Sequence, residues 1–233
     1  MGRAPGSTEA RAGKEGSPEP NPFDDPAVAA RYERWYAGEG AEADVRERQL
    51  LGRLLADFPQ AESVLEVGCG TGHFTRWMGN HDFRATGLDP SWAMLAETAR
   101  RDHGPYVQGD GHGLPFHDQT FDLVMLITTL EFVANPIRVL TEATRVARQG
   151  LLIGALNRNS LLARRYVRSG NPLWKSAHFF SVNELTDMTV KAAGRRLGAV
   201  AWKTTLWPLR SLPALPLPWG GFIGLAARLH GPT

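Results

Sequence analysis

Three glycines on alternate positions, Gly68, Gly70 and Gly72, follow directly on the apolar run Val64-Leu65-Glu66-Val67. Glycine has no Cβ, so such a loop turns sharply and lets a ligand lie against bare backbone. The next segment, His73 to Met78, starts a helix whose free N–H groups point back at the same place. Strand, glycine loop and helix in that order make a cradle for a nucleotide-type cofactor. A dinucleotide fingerprint would need a third glycine where His73 stands, and no P-loop pattern occurs. A second run, Arg84 to Asp89, ends in a carboxylate 17 residues after Gly72, close to the acidic position for ribose binding in a βαβ unit. A carboxylate accepts two hydrogen bonds at once, which suits a ribose diol. A third run, Tyr106 to His112, carries Asp110. Cys69 lies inside the glycine loop, where a small side chain fits, and reads as packing; a nucleophilic role would need a base partner.

These groups need a scaffold that brings them to one edge. From Val64 to Leu156 strand-like and helix-like segments alternate, which argues for a parallel sheet with helices on both faces. Ligands of such sheets bind beyond the C-terminal strand ends, where Gly68 to Gly72, Asp89, Asp110 and Thr128 all fall. Phe121 to Ile127 is nearly all apolar, as a central strand buried on both faces should be. Helices are expected over Asp25 to Tyr36 and over Asp44 to Phe58, the second with Leu50, Leu51, Leu54, Leu55 and Phe58 as its apolar stripe. Ser91 caps a further helix, and Ser181 with Glu184 forms a capping box ahead of a helix that Gly194 stops. Gly198 to Thr205 and Phe222 to Leu229 read as two last strands. Between them, the insert 207–221 holds Pro208, Pro213, Pro216 and Pro218 with two tryptophans and forms no regular helix. Its sparse charge favours packing as a loop over dipping into a lipid interface.

Composition narrows the class. A chain of 233 residues supports one domain with a sizeable core, and residues 1–22, rich in Gly, Pro, Ala, Ser and Glu, are expected to be a disordered tail. A net charge of +2 lends no support to a nucleic-acid partner. One cysteine excludes an intrachain disulfide framework and a CxxC metal site, so no metal is expected. No apolar run reaches the roughly 18 residues of a membrane span, and no signal-type apolar stretch follows Met1, so a cytoplasmic protein without stable membrane insertion is expected.

Glu66, Gly68, Gly70 and Gly72 match every defined place of E/D-x-G-x-G-x-G, and the loop resembles motif I of the class I S-adenosylmethionine-dependent methyltransferases. The resemblance continues through Leu114-Pro115-Phe116, Phe121-Asp122 with its apolar run, Asn135-Pro136 and Gly150-Leu151-Leu152-Ile153, from Val64 to about Gly154. It is nearest the small-molecule, type 11 branch, which includes quinone-biosynthesis and small-amine methyltransferases. It implies an α/β, doubly wound, seven-stranded, mostly parallel sheet with a C-terminal antiparallel edge hairpin. Residues 23–233 would form one domain, with helices in 23–60 folded over the cofactor, S-adenosylmethionine. The implied cofactor contacts are Glu66, Gly68, Cys69, Gly70 and Gly72 in the loop, then Asp89, Pro90 and Met94, then Asp110 and Gly111, and last Ile127 and Thr128. Asp110 would accept from the adenine amino group, and Ser91 and Trp92 are further candidates beside the ring. Tyr32-Glu33-Arg34-Trp35 is similar to a family Y-D-x-W segment, with Glu33 in place of Asp. It makes Tyr32 a candidate at the cofactor's carboxylate end and Trp35 a candidate wall, with plain docking of the helix on the core as the other reading.

The acceptor face is expected from Thr128, Thr129, Glu131, Asn157, Arg158, His178, Phe179 and Phe180. The catalytic candidates are Glu131, to orient a cationic amine or deprotonate a hydroxyl, then Asn157, and His178 as a base. The Asn/Asp-Pro-Pro-Tyr/Phe pattern for adenine and amide nitrogens is missing after Ile127. The expected reaction is in-line transfer of a methyl group to an O, N or C nucleophile of a small molecule. A catalytically silent cofactor-binding module is the alternative. A nicotinamide dehydrogenase is opposed by His73 and by the lack of a second nucleotide-binding half.

Overall fold

Seven strands pair into one sheet: β1 (Ser63–Val67), β2 (Arg84–Asp89), β3 (Tyr106–Gln108), β4 (Phe121–Ile127), β5 (Ala147–Leu156), β6 (Leu197–Thr205) and β7 (Phe222–Leu229). In the computed structural model, which describes residues 21–208 and 212–231, they lie in the order β3-β2-β1-β4-β5-β7-β6. The pairs among β1 to β5 are parallel, and β7 runs against both β5 and β6. The doubly wound α/β sheet with a C-terminal antiparallel hairpin is therefore the observed fold. β1 and β4 are buried along their whole length, which is why both read as apolar runs. The strand order reverses between β1 and β4, and the crevice beyond their C-terminal ends is where an open α/β sheet binds its ligand.

Among the described residues, eight α-helices accompany the sheet: α1 (Pro26–Ala37), α2 (Ala41–Leu55), α3 (His73–Gly79), α4 (Trp92–Ala99), α5 (Pro136–Val146), α6 (Leu161–Arg168), α7 (Pro172–Ser176) and α8 (Val182–Ala193). One core layer joins Leu50, Leu51 and Leu54 of α2 and Phe74 of α3 to Met125 and Leu152 of the sheet. The other joins Val139 and Leu140 of α5 and Leu185 of α8 to Val124 and Ile153. The second helix ends before Phe58, earlier than expected, because Pro59 disfavours helical backbone at the residue before it. β3 is shorter than its sequence suggested, since the Asp110 carboxylate accepts the His112 N–H and turns the chain. The Ser181–Glu184 capping box is formed, and Gly194 ends α8 at φ 53°.

The insert folds back on β6. Thr204 exchanges backbone hydrogen bonds with Leu215, and its hydroxyl meets the Leu217 carbonyl and the Gly220 N–H. Residues 209–211 of the insert and residues 1–20 of the expected tail lie outside the described residues. Asn21 and Pro22, also assigned to that tail, open a short 3-10 turn through Asp24 that packs against the body. Among the described residues, no helix is long and apolar enough to cross a membrane.

Candidate active site

β1 delivers the chain into the crevice, and the glycine loop turns it into α3. Gly68, Gly70 and Gly72 all take positive φ, at 73°, 53° and 76°. At two of them a side chain would also collide: a Cβ on Gly68 would meet the Thr129 side chain, and one on Gly72 would lie 2.7 Å from the Tyr106 hydroxyl. Asp89, at the end of β2, braces the loop: its Oδ2 accepts from the Gly70 N–H at 2.8 Å, and its Oδ1 accepts from Ser91 N–H at 2.9 Å. An ionised carboxylate has about four acceptor positions, so two remain for a ligand. Burial raises the Asp89 carboxyl above the usual range, and these two N–H bonds oppose it. Glu66 is buried and bound by the Thr75 hydroxyl of α3; burial pushes its carboxyl up to about 8. Burial also raises the Cys69 thiol well above its ordinary value, which keeps it protonated and argues against a nucleophile. Thr128, at the tip of β4, holds a left-handed conformation (φ 52°) although it is not glycine, a strain typical of functional sites.

The helix α1 is fastened onto this loop. Glu33 Oε2 accepts from the Thr71 hydroxyl at 2.6 Å, and its Oε1 accepts from Arg76 Nη2 at 2.6 Å. Ser91 Oγ donates to the Phe23 carbonyl at 2.7 Å, which ties the 3-10 turn before α1 to the N-terminus of α4. Tyr32 thereby comes over the loop, its ring 3.7 Å from where a Gly70 Cβ would sit, and its packing pushes the phenol up to about 12. Two surface clefts lie elsewhere. One separates α2 from residues 212–214, and the other opens outside α4 beside Trp92.

Beyond the tip of β4 the chain makes a 3-10 turn, Leu130–Phe132, and buries Glu131 at 2% exposure. Its Oε1 accepts from the Leu156 N–H at 2.6 Å, while its Oε2 is buried with no hydrogen-bond partner. Glu47 of α2 is 6% exposed. Burial, with the charges of Asp44 and Glu131, pushes Glu47 up to about 8, and burial pushes Glu131 up to about 7. Aromatic rings of the same side form an unbroken arc of edge, tilted and stacked contacts: Tyr36, Tyr32, Phe23, Phe132, Trp174 and Tyr166. The charge of Glu47 reaches both ends of the arc, Tyr36 and Tyr166.

Other expected residues lie differently. Asn157 is fully buried: its amide donates to the Pro218 and Gly220 carbonyls, both at 2.8 Å, and its Oδ1 accepts from Asn159 N–H. It pins the insert to β5, and that contact engages both of its amide hydrogens. His178 is exposed at the rim, with Nε2 2.7 Å from Glu184 Oε1, and Arg158 pairs with the other oxygen of Glu184. Its backbone N–H donates to the Glu131 carbonyl, so His178 borders the Glu131 turn without its ring entering the cluster of buried carboxylates. Phe180 is fully buried in the core beside Leu185, not on an acceptor face. Trp35 covers Gly40 at the turn between α1 and α2, and Trp92 is exposed, so neither walls the cradle. Met94 is buried under α4, Pro90 is exposed at the start of that helix, and Ile127 is buried at the end of β4. Asp110 is exposed and bonded to His112; partial burial raises its carboxyl, but the His112 bonds and charge hold it below the usual range. Gly111 is buried against Val67 and Val139. Glu33, Glu47, Tyr36, Tyr166 and Trp174 were not singled out as site residues from the sequence.

Known proteins share this architecture. A methyltransferase-domain family model matches residues 65–153. An uncharacterised protein of Methanocaldococcus jannaschii is 30% identical over 172 residues, covering 72% of this chain and 78% of its own length. The demethylmenaquinone methyltransferase of Roseiflexus is 30% identical over 147 residues, covering 60% of this chain. The match spans 58% of the Roseiflexus protein's length. A Thermotoga maritima crystal structure, described as an S-adenosylmethionine-dependent methyltransferase and possible histamine N-methyltransferase, superposes with a TM-score of 0.74 at 28% identity, covering 87% of this chain and 96% of that one. The cradle fits that cofactor: the loop stays bare where a Cβ at Gly68 would fill it, and Asp89 keeps acceptor positions open. On this evidence the chain belongs to the class I S-adenosylmethionine-dependent methyltransferases.

Proposed function

We propose that the protein methylates a small molecule presented between the tip of β4 and the roof made by α1 and α2. The observation that carries this reading is the meeting of three features at one sheet edge: the glycine loop, the Asp89 carboxylate, and Glu131 four residues beyond Ile127. When bound, S-adenosylmethionine supplies a methyl group on a sulfonium, already activated toward a nucleophile. The chain's own task is to align the acceptor and exclude water. The loop backbone at Gly68 to Gly72 lies along the cofactor, and Asp89 takes the ribose hydroxyls with its two open acceptor positions. Asp110 and Gly111 serve the adenine, Tyr32 closes over the far end, and Ile127 and Thr128 border the reacting methyl group. Glu131, buried in the turn just beyond the tip of β4 and raised by burial to about 7, is the acid this reading assigns to the acceptor.

Two acceptors are named among the similar proteins, demethylmenaquinone for the Roseiflexus enzyme and, as a possible one, histamine for the Thermotoga maritima protein. Both are small molecules. The test is calorimetric titration of the full chain with S-adenosylmethionine, S-adenosylhomocysteine and NAD, repeated on Asp89→Ala. Saturable binding of both sulfur compounds, weakened about tenfold or more in the variant and absent for NAD, is expected. A folded chain that binds neither sulfur compound overturns the reading.

A further inference from the structure

Among the described residues, neither Glu47 nor Glu131, both buried, forms an ion pair. The charges that reach Glu47 most strongly, Asp44 and Glu131, share its sign. Of the cations on α2 and α3, Arg48 and His73 both bond to Asp44, and Arg46 bonds to Glu42; the buried Arg48 Nε has no partner among the described residues, and the charge of Arg165 reaches Tyr166. Glu131 Oε2 has no partner, and no hydrogen bond reaches the Glu47 carboxylate among the described residues. Burying an unpaired carboxylate is costly, and a second like charge within electrostatic reach adds to the cost. The charge of Glu47 reaches the rings of Tyr32, Tyr36 and Tyr166, and aromatic rings attract cations through their π-electrons. We infer that the methyl acceptor is an organic amine, whose protonated head is held between Glu47 and Glu131 inside the arc from Tyr36 to Tyr166. This rests on the methyltransferase reading and narrows it to nitrogen chemistry.

The direction of charge flow separates this acceptor from a quinol. When an amine attacks, positive charge builds on its nitrogen, and the carboxylate that keeps its charge stabilises that change. When a phenolate or its ring carbon attacks, the nucleophile must first carry negative charge beside the same two carboxylates. The step balances for the amine. A proton passes from the ammonium to the Glu131 carboxylate. The freed nitrogen lone pair forms the N–C bond as the C–S bond breaks. The thioether leaves neutral, and the positive charge ends on the methylated nitrogen. With Glu131 poised at about 7 and Glu47 at about 8, one carboxylate can take a proton near neutral pH while the other holds charge.

The experiment loads the full chain with S-adenosylhomocysteine at about pH 8.5 and titrates it with phenethyltrimethylammonium and with its uncharged carbon isostere. The cation, which cannot itself be methylated, should bind at least about tenfold tighter than the isostere. Glu47→Gln and Glu131→Gln should each weaken the cation about fivefold or more while leaving S-adenosylhomocysteine affinity unchanged. Equal binding of cation and isostere overturns the inference, as does binding of neither, or variants that hold the cation as tightly as the parent chain. Variants that lose S-adenosylmethionine but keep S-adenosylhomocysteine would show that the carboxylates answer the sulfonium, which also overturns it. If the unaltered chain fails to bind S-adenosylhomocysteine, the methyltransferase assignment of the site fails instead. Should one glutamine variant not fold, the comparison of cation with isostere on the parent chain still decides.

Discussion

Replacing Glu131 by Gln should make the protein more stable as pH rises above about 5, with most of the gain in place by about pH 7. The parent carboxyl is 2% exposed and its Oε1 accepts the Leu156 N–H at 2.6 Å. Burial moves its pKa from 4.5 to about 7. A carboxyl pKa raised by folding means that the folded state favours the proton. Its contribution is therefore fully present below about 4.5, is lost as pH climbs through about 7, and is then constant. The gap between those two values corresponds to about 3 kcal/mol. Glutamine matches the protonated acid in shape, keeps an acceptor for Leu156 N–H, and puts a donor where the acid's O–H would stand. At about pH 5 parent and variant should agree within about 1 kcal/mol. At about pH 8.5 the variant should lead by about 3 kcal/mol, on the order of 10 °C in Tm for a chain of this length. Loss of the Glu131 charge also relieves the repulsion felt by Glu47, which acts in the same direction. Urea denaturation followed by tryptophan fluorescence at the two pH values measures this. A variant no more stable than the parent at the higher pH, or a gap equal at both, refutes the reasoning.

Gly68→Ala should cost about 2–4 kcal/mol, because alanine at φ 73° is strained and its methyl would meet the Thr129 side chain; denaturant midpoints read this directly. Asn157→Ala should cost about 2–4 kcal/mol by orphaning the Pro218 and Gly220 carbonyls and the Asn159 N–H. Calorimetry on the folded variant should still find parental affinity for S-adenosylhomocysteine, and a loss of affinity without a loss of stability would return Asn157 to the site.

The parts of the site that were legible in the sequence are those imposed by local backbone geometry. Alternating glycines are demanded where three successive turns need positive φ, and they sit next to one another in the chain. Asp89 was readable because β2 ends on it, and a strand end in a parallel sheet faces the ligand edge. Asn157 also follows a strand end, but its partners Pro218 and Gly220 lie some sixty residues on, so no local pattern signals the pin. Glu131 was singled out from the sequence, whereas Tyr36, Glu47 and Tyr166, the other residues of the proposed acceptor side, come from α1, α2 and α6 and were hidden for the same reason. One clue was present. Glu47 stands three, four and seven residues before Leu50, Leu51 and Leu54, so it shares the apolar stripe of α2 while Glu42, also acidic, does not. A carboxylate on a stripe that must be buried opposes the helix's own packing. Such a conflict persists where a function requires it, and on the inference drawn above Glu47 marks the acceptor where the glycine loop marks only the cofactor. The loop identifies a cofactor shared by many reactions. The proposed role of the buried acids is to select the molecule that meets it.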